Sequence, residues 1–83
     1  MVLYKQDAQM EKPPTTTRAL AKLIQQTRKE QGLTQEDVSG LTGVGRRFIS
    51  EVENGKETAQ IGKILLILGA LGIGLYMINK WKK

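Results

Sequence analysis

Two adjacent arginines, Arg46 and Arg47, stand at the predicted start of a short helix. The helix dipole disfavours cations there by about 0.3 to 1 kcal/mol, and it disfavours Glu51 and Glu53 at the other end likewise. A guanidinium can donate two parallel hydrogen bonds to guanine O6 and N7, worth about 1 to 3 kcal/mol of discrimination between bases. The arrangement therefore predicts arginines that contact a DNA base. The alternative is a surface ion pair between Arg47 and Glu51, with Arg46 solvated.

Three further side chains could contact DNA, each with a plainer explanation. Gln35, at the start of the preceding helix, could donate to a phosphate or brace a base contact, or it could simply favour helix formation. Ser50 lies one turn beyond the arginines and could reach a base edge, or it could be an ordinary surface serine. Lys56 could neutralise a phosphate, as any loop lysine could. Arg28 and Glu53 are expected to form a structural ion pair instead, because both should lie where the first and third helices meet.

The composition favours a binding protein over an enzyme. The chain has 83 residues and a formal net charge of +5, and it contains neither histidine nor cysteine. Disulfides, thiolate nucleophiles, histidine bases and most zinc or iron sites are thereby excluded, so we expect no catalytic residue, no metal and no cofactor. The excess of basic residues favours an anionic partner.

Three short helices are predicted to present these residues. The first begins near Thr16 or Thr17 and ends at Gly32, and the second is capped by Thr34 with Asp37 three residues on. Gly43 can adopt a positive φ and reverse the chain before a third helix over residues 45–53. The apolar positions expected to face the core of these helices are Leu20, Leu23, Ile24, Thr27, Val38, Leu41, Phe48, Ile49 and Val52.

A fourth helix and a strand complete the prediction. The helix is expected to start around Thr58 or Ala59, with an apolar stripe formed by Ile61, Ile64, Leu65, Leu68 and Leu71. Residues 73–79 are β-branched or aromatic and alternate like a strand. Such a strand has no partner in its own chain, so we expect it to pair with the same strand of a second copy and form a homodimer. The residues expected at this dimer contact are Ile73, Leu75, Tyr76, Met77 and Ile78.

These elements divide the chain into three parts. Residues 1–14 lack periodic apolar positions and end in two prolines, which favours a flexible arm. Residues 15–72 form the helical domain, and residues 73–83 form the dimerisation strand and a basic tail. The expected fold is therefore mainly α, with a β-strand only at the dimer contact.

Three segments of the sequence resemble the Cro/C1-type (XRE) helix-turn-helix family: residues 32–38, residues 43–50 and residues 53–56. The resemblance covers about residues 17–72 and implies a lambda-repressor-like domain of four to five helices that binds palindromic operators as a dimer. It places DNA contacts at Gln35, Gly45, Arg46, Arg47 and Ser50. Residues 43–56, with residues 58–63 and 68–72, are more narrowly similar to HipB-type antitoxins. That similarity implies a HipA-type serine/threonine kinase toxin as partner and repression of the pair's own operon.

Two alternatives remain at this point. A stand-alone or phage-type repressor would share the fold and lack the kinase. A membrane-tethered adaptor would use Ile64 to Ile78 as its anchor, but these fifteen uncharged residues fall short of the roughly 20 that a span needs. The first residues contain no apolar segment typical of a secretory signal, so we expect a cytoplasmic protein without a membrane partner.

Overall fold

The fold of the protein, taken from a computed structural model, is described for residues 16–77, 79 and 81. It consists of four helices: α1 (Thr17–Glu30), α2 (Gln35–Thr42), α3 (Arg46–Glu53) and α4 (Ile61–Leu71). The predicted mainly α, four-helix architecture is therefore confirmed. The expected arm over residues 1–14 lies outside the described residues.

The first two helices begin at the predicted threonine caps. The Thr16 hydroxyl accepts a hydrogen bond from the Ala19 amide at 3.0 Å. At α2, the Asp37 amide donates to the Thr34 hydroxyl at 3.0 Å, and the Thr34 amide donates to the Asp37 carboxylate at 2.8 Å. This last bond, with a second from the Thr34 side chain, holds the pKa of Asp37 below its ordinary value. The reciprocal pair satisfies two amides that a helix start otherwise leaves without a partner.

A three-residue turn joins α2 to α3 and fixes the angle between them. Gly43 adopts a left-handed conformation with φ 77°, which costs glycine nothing, and its amide donates to the Ser39 carbonyl at 2.8 Å. The Thr42 hydroxyl donates to the Val38 carbonyl and accepts from the Val44 amide. Val44 is buried within the core, so the turn is held by packing as well as by hydrogen bonds.

The core lies where all four helices meet. Its four most completely buried large side chains come one from each helix: Ile24, Val38, Ile49 and Ile67. Each helix therefore contributes one fully enclosed branched side chain, and truncation of any one would leave a cavity in the core.

The structure corrects the prediction for α4. The helix begins at Ile61, after Gln60, and not at Thr58 or Ala59. Its buried residues are Ile67, Leu68 and Leu71, whereas the predicted Ile61 and Leu65 are 64% and 46% exposed. The predicted Leu68 and Leu71 are buried and the predicted Ile64 is half-buried. Because α4 is apolar on nearly every side, its sequence does not decide which further side chains complete the buried stripe. Packing against α1 and α2 selects Ile67.

Other predicted core positions also differ from the structure. Leu41, near the end of α2, is 64% exposed because that helix turns only Val38 fully into the core. Leu20, Leu23, Thr27 and Phe48 are half-buried. Conversely, Ala21 and the charged residue Arg28 are buried on α1.

The chain after α4 is described as far as Met77, with Asn79 and Trp81 beyond it. The Ile73 amide donates to the Leu68 carbonyl at 2.9 Å, and the Ile73 side chain packs against the core of its own chain. Residues 73–77 do not form a strand and pair with no other segment among the described residues. Leu75, Tyr76 and Met77 are exposed. Ile78 lies outside the described residues. Pairing of this segment across two copies stays a prediction.

A buried ion pair joins α1 to α3. Arg28 donates from Nε to Glu53 Oε2 at 2.7 Å and from Nη2 to Glu53 Oε1 at 2.9 Å. The third guanidinium nitrogen, Nη1, donates to the Leu33 carbonyl at 2.7 Å. Because only 7% of Arg28 and 9% of Glu53 are exposed, neither charge has much access to water and each depends on the other.

The ion pair sets the protonation of its members. Burial alone would raise the pKa of Glu53, but hydrogen bonds from Arg28 and Gln35 and the charge of Arg28 outweigh it and hold this pKa below its ordinary value. The hydrogen bond to Glu53 raises the pKa of Arg28. The pair is therefore fully charged at neutral pH.

We expect Glu53→Gln to lower the free energy of unfolding at pH 7 by about 3 to 5 kcal/mol, because it leaves the buried guanidinium without a counter-charge. Urea denaturation followed by helical circular dichroism measures this loss. Glu30→Gln, which removes the same charge from an exposed position at the end of α1, should change the free energy of unfolding by no more than about 0.5 kcal/mol.

The wild type and Glu53→Gln also allow a test of pH dependence. The folded pKa of Glu53 lies below its unfolded value of about 4.3, so the ion pair contributes fully above about pH 5. Its contribution is lost as the pH falls through the folded pKa. The stability curves of the wild type and Glu53→Gln should therefore converge in acid, and a gap of constant size down to about pH 2 would contradict this assignment.

Candidate nucleic-acid interface

The first turn of α3 presents two arginines to solvent. Arg46 and Arg47 are its first two residues, both are exposed, and the Arg47 side chain is 92% exposed. Arg47 Nε lies 3.5 Å from Glu51 Oε2, one turn further along the helix. The ion pair considered as an alternative is therefore present, yet it leaves most of the Arg47 side chain accessible.

No side chain caps the start of α3. The N-cap residue is Gly45, which makes no side-chain hydrogen bond, and the first turn contains no acidic residue. The unpaired amides and the positive end of the helix dipole are thus accessible beside the two arginines. This end of the helix can accept an anion such as a phosphate.

Gly45 itself is not needed for the fold. Its φ of −60° is open to any residue, and a Cβ added to it would meet nothing within 4 Å. Neither the backbone conformation nor the packing of this chain therefore requires glycine at this position. The missing side chain leaves space through which an external group can approach the start of α3 closely.

Gln35 is engaged inside the protein. Its Nε2 donates to Glu53 Oε1 at 3.0 Å, so the start of α2 is joined to the end of α3 and to the ion pair with Arg28. Bracing of a base contact by Gln35 stays a prediction. No local sequence pattern predicts the contact between Gln35 and Glu53, because the two residues are 18 positions apart. An amide group carries two donor hydrogens, and one of them suffices for Glu53.

Ser50 lies in the second half of α3, and Lys56 lies in the segment that follows the helix. Lys56 Nζ is 3.2 Å from Glu51 Oε1, and the Lys56 amide donates to the Glu51 carbonyl at 3.1 Å. Ser50 is half-buried. Glu51 therefore forms ion pairs with two of the candidate cations, Arg47 and Lys56. Its spacing of four residues from Arg47 predicted the first contact, whereas the second depends on the turn that follows α3.

Two contacts that the sequence did not predict fix the surroundings of α3. The Thr17 hydroxyl donates to the Gly55 carbonyl at 3.1 Å and attaches the start of α1 to the turn after α3. Lys63 Nζ lies 5.3 Å from the centroid of the Phe48 ring, within the range of a cation–π contact. Lys63 thus places a further positive charge against α3.

No helix in the described ranges combines the length and the apolar character that crossing a membrane requires.

Comparison with known proteins identifies related sequences. A family model described as "Helix-turn-helix" (HTH_3) matches residues 24–78. The chain is 47% identical over 64 residues to a curated protein of Sinorhizobium fredii (strain NBRC 101917 / NGR234), the "Uncharacterized HTH-type transcriptional regulator y4mF". The matched segment covers 77% of this chain and 80% of that protein.

Solved structures share the fold. A "HipB-O4 20mer complex" contains a chain that superposes with a TM-score of 0.76 at 20% identity, covering 84% of this chain and 99% of that one. A chain of the "HipA-HipB-O2-O3 complex" gives a TM-score of 0.77 at 20% identity, with the same two coverages. A mutant of the restriction-modification controller protein C.Esp1396I gives 0.64 at 28% identity, covering 74% of this chain and 77% of that one.

The family match spans all of α2, α3 and α4, the elements that expose the uncapped, arginine-bearing helix start. With a curated relative at 47% identity over most of both chains, the chain belongs to the XRE-type helix-turn-helix family of transcriptional regulators.

Proposed function

We propose that this regulator is a sequence-specific DNA-binding repressor that binds a palindromic operator as a homodimer. We further propose that it is the antitoxin of a HipA-type serine/threonine kinase toxin and represses its own operon. The observation that carries the DNA-binding part is the exposed, uncapped start of α3 with Arg46 and Arg47 beside it.

The DNA-binding proposal assigns a role to each exposed group. A helix fits the major groove, which is about 12 Å wide, and reads bases with residues near its N-terminus. Arg46 and Arg47 contact base edges, and Gly45 lets the backbone approach. Ser50 reaches a base edge or a phosphate one turn later, and Lys56 neutralises a phosphate. Gln35 uses its second amide hydrogen for the DNA backbone while the first stays on Glu53.

The homodimer proposal is supported by apolar side chains that the single chain leaves uncovered. Ile61, Leu65 and Leu66 on α4 are 64%, 46% and 53% exposed, as is much of Leu75 beyond it. A core drawn from about sixty residues is marginal by itself, so burial of this surface against a second copy would stabilise the fold. Two linked domains would then contact half-sites about one helical turn apart.

The antitoxin proposal is supported by the fold shared with the HipB structures, one of which also contains HipA. Their 20% identity supports the fold more strongly than the partner. The likeness to a controller protein at 28% identity favours the second candidate, a regulator that acts without a toxin.

Arg46→Ala should weaken binding to the specific operator by about 1 to 3 kcal/mol and relax the base preference at one position, because a bidentate guanine contact is lost. The measurement is a titration of the operator and of random duplex, with the operator obtained by selection from duplexes with random cores. Lys22→Ala removes the same charge from the exposed surface of α1 and should leave base preference unchanged. Equal losses on operator and random duplex for Arg46→Ala would contradict the base-reading role.

Removal of residues 74–83 should convert the dimer to a monomer and lower operator affinity, because two linked domains are needed for both half-sites. Ile73 is retained because its amide and side chain stabilise the end of α4. Analytical ultracentrifugation measures the assembly state, and circular dichroism checks that the helices remain. If the shortened chain stays dimeric, strand pairing across the dimer is wrong and the exposed side of α4 becomes the contact.

If the chain is an antitoxin, a kinase-like protein encoded beside it should co-purify with it and lose its toxicity when the two are expressed together. Growth of cells expressing the kinase alone and with this chain measures the effect. A neighbouring kinase that arrests growth equally in both cases, or a chain that binds its operator and retains no kinase, would favour the stand-alone regulator.

A further inference from the structure

Glu51 is the centre of a small charged cluster on the exposed side of α3. One carboxylate oxygen, Oε2, lies 3.5 Å from Arg47 Nε, and the other, Oε1, lies 3.2 Å from Lys56 Nζ. The Lys56 amide also donates to the Glu51 carbonyl, which keeps the lysine close after the chain has left the helix. Two cations of the candidate interface thus share a single anion.

We propose that Glu51 is a specificity-determining residue whose carboxylate competes with DNA phosphates for Arg47 and Lys56 and so suppresses binding to random DNA. The inference rests on the proposed DNA binding and deepens it. It concerns the ratio of operator affinity to random-duplex affinity, which the arginines alone do not determine.

The competition acts unequally on the two kinds of DNA. A phosphate contact merely exchanges one exposed anionic partner for another, so random DNA gains little from Arg47 and Lys56 while Glu51 is present. A base contact gives Arg47 two hydrogen bonds of ordinary length, which its contact with Glu51 does not provide. The guanidinium meets Glu51 through Nε at 3.5 Å, which is longer than a charge-assisted hydrogen bond of about 2.7 to 2.9 Å. A guanine offers it two parallel bonds of full strength, so the operator overcomes the competition more readily.

The carboxylate also sets the charge that DNA meets. Arg47, Glu51 and Lys56 together carry a formal charge of +1, and neutralising Glu51 raises this to +2 without moving either cation's backbone. Because salt dependence follows the number of phosphates neutralised, this change should steepen the salt slope on random duplex by about one.

The test compares the full-length wild type, Glu51→Gln and Glu30→Gln. Each substitution raises the formal net charge by one, but Glu30 lies exposed at the end of α1 and is not an ion-pair partner of Arg47 or Lys56. Dissociation constants are measured over a series of salt concentrations for the selected operator and for random duplex. Circular dichroism melting confirms that all three proteins are folded.

Glu51→Gln should tighten binding to random duplex by about threefold to tenfold, the range that two exposed ion pairs can supply, and should tighten operator binding less. The operator-to-random ratio should therefore fall, and the random-duplex salt slope should steepen. Glu30→Gln should change both duplexes equally and by less than about twofold. In an Arg47→Ala background, the effect of Glu51→Gln on random duplex should shrink, because one of the two competing cations is gone.

An unchanged ratio in Glu51→Gln, or an equal change in Glu30→Gln, overturns the inference while leaving the proposed function intact, provided that the wild type prefers its operator. A wild type that binds operator and random duplex equally, or neither, overturns the proposed function and this inference with it.

Discussion

The bidentate contact between Arg28 and Glu53 is the constraint on which the rest of the arrangement depends. It joins the last turn of α1 to the last residue of α3, and Arg28 also holds the Leu33 carbonyl in the segment that leads into α2. Gln35 adds the start of α2 to the same carboxylate. Apolar contacts alone leave helices free to rotate slightly against one another, whereas these hydrogen bonds are directional. The end of α3 is therefore fixed relative to α1 and α2. Because α3 is a rigid helix, this also fixes the direction in which its exposed start points.

The ion pair also resolves a local conflict on α3. A carboxylate at the last residue of a helix faces the negative end of the dipole, which is unfavourable. The guanidinium of Arg28 compensates for this effect, so the Glu53 carboxylate is stable at a position that the dipole alone disfavours by about 0.3 to 1 kcal/mol. Glu51 is only two residues away, but successive residues turn by about 100° and the two carboxylates therefore point to nearly opposite sides of the helix. Glu53 fixes the relative orientation of the helices, and Glu51 belongs to the exposed charged surface.

The sequence predicts most of the first three helices because their signals are local. Thr16, Thr34 and Gly43 are recognisable caps and turn residues, and their hydrogen bonds span only three or four positions. The buried side of α4 has no such local signal. The sequence of a helix that is apolar on all sides does not indicate which side faces the core. The burial of Ile67 and the exposure of Ile61 therefore depend on the neighbouring helices. The bond from Gln35 to Glu53 likewise requires the angle between α2 and α3, which no local pattern contains.

The open first turn of α3 has a consequence for the dynamics of the protein. With no side-chain cap and with two like charges at its positive pole, that turn has less local stabilisation than the starts of α1 and α2. Amides there should exchange with solvent water faster than those of the capped helices. An anion that binds to this turn would provide the missing cap. Ligand binding and ordering of the helix start would therefore occur together.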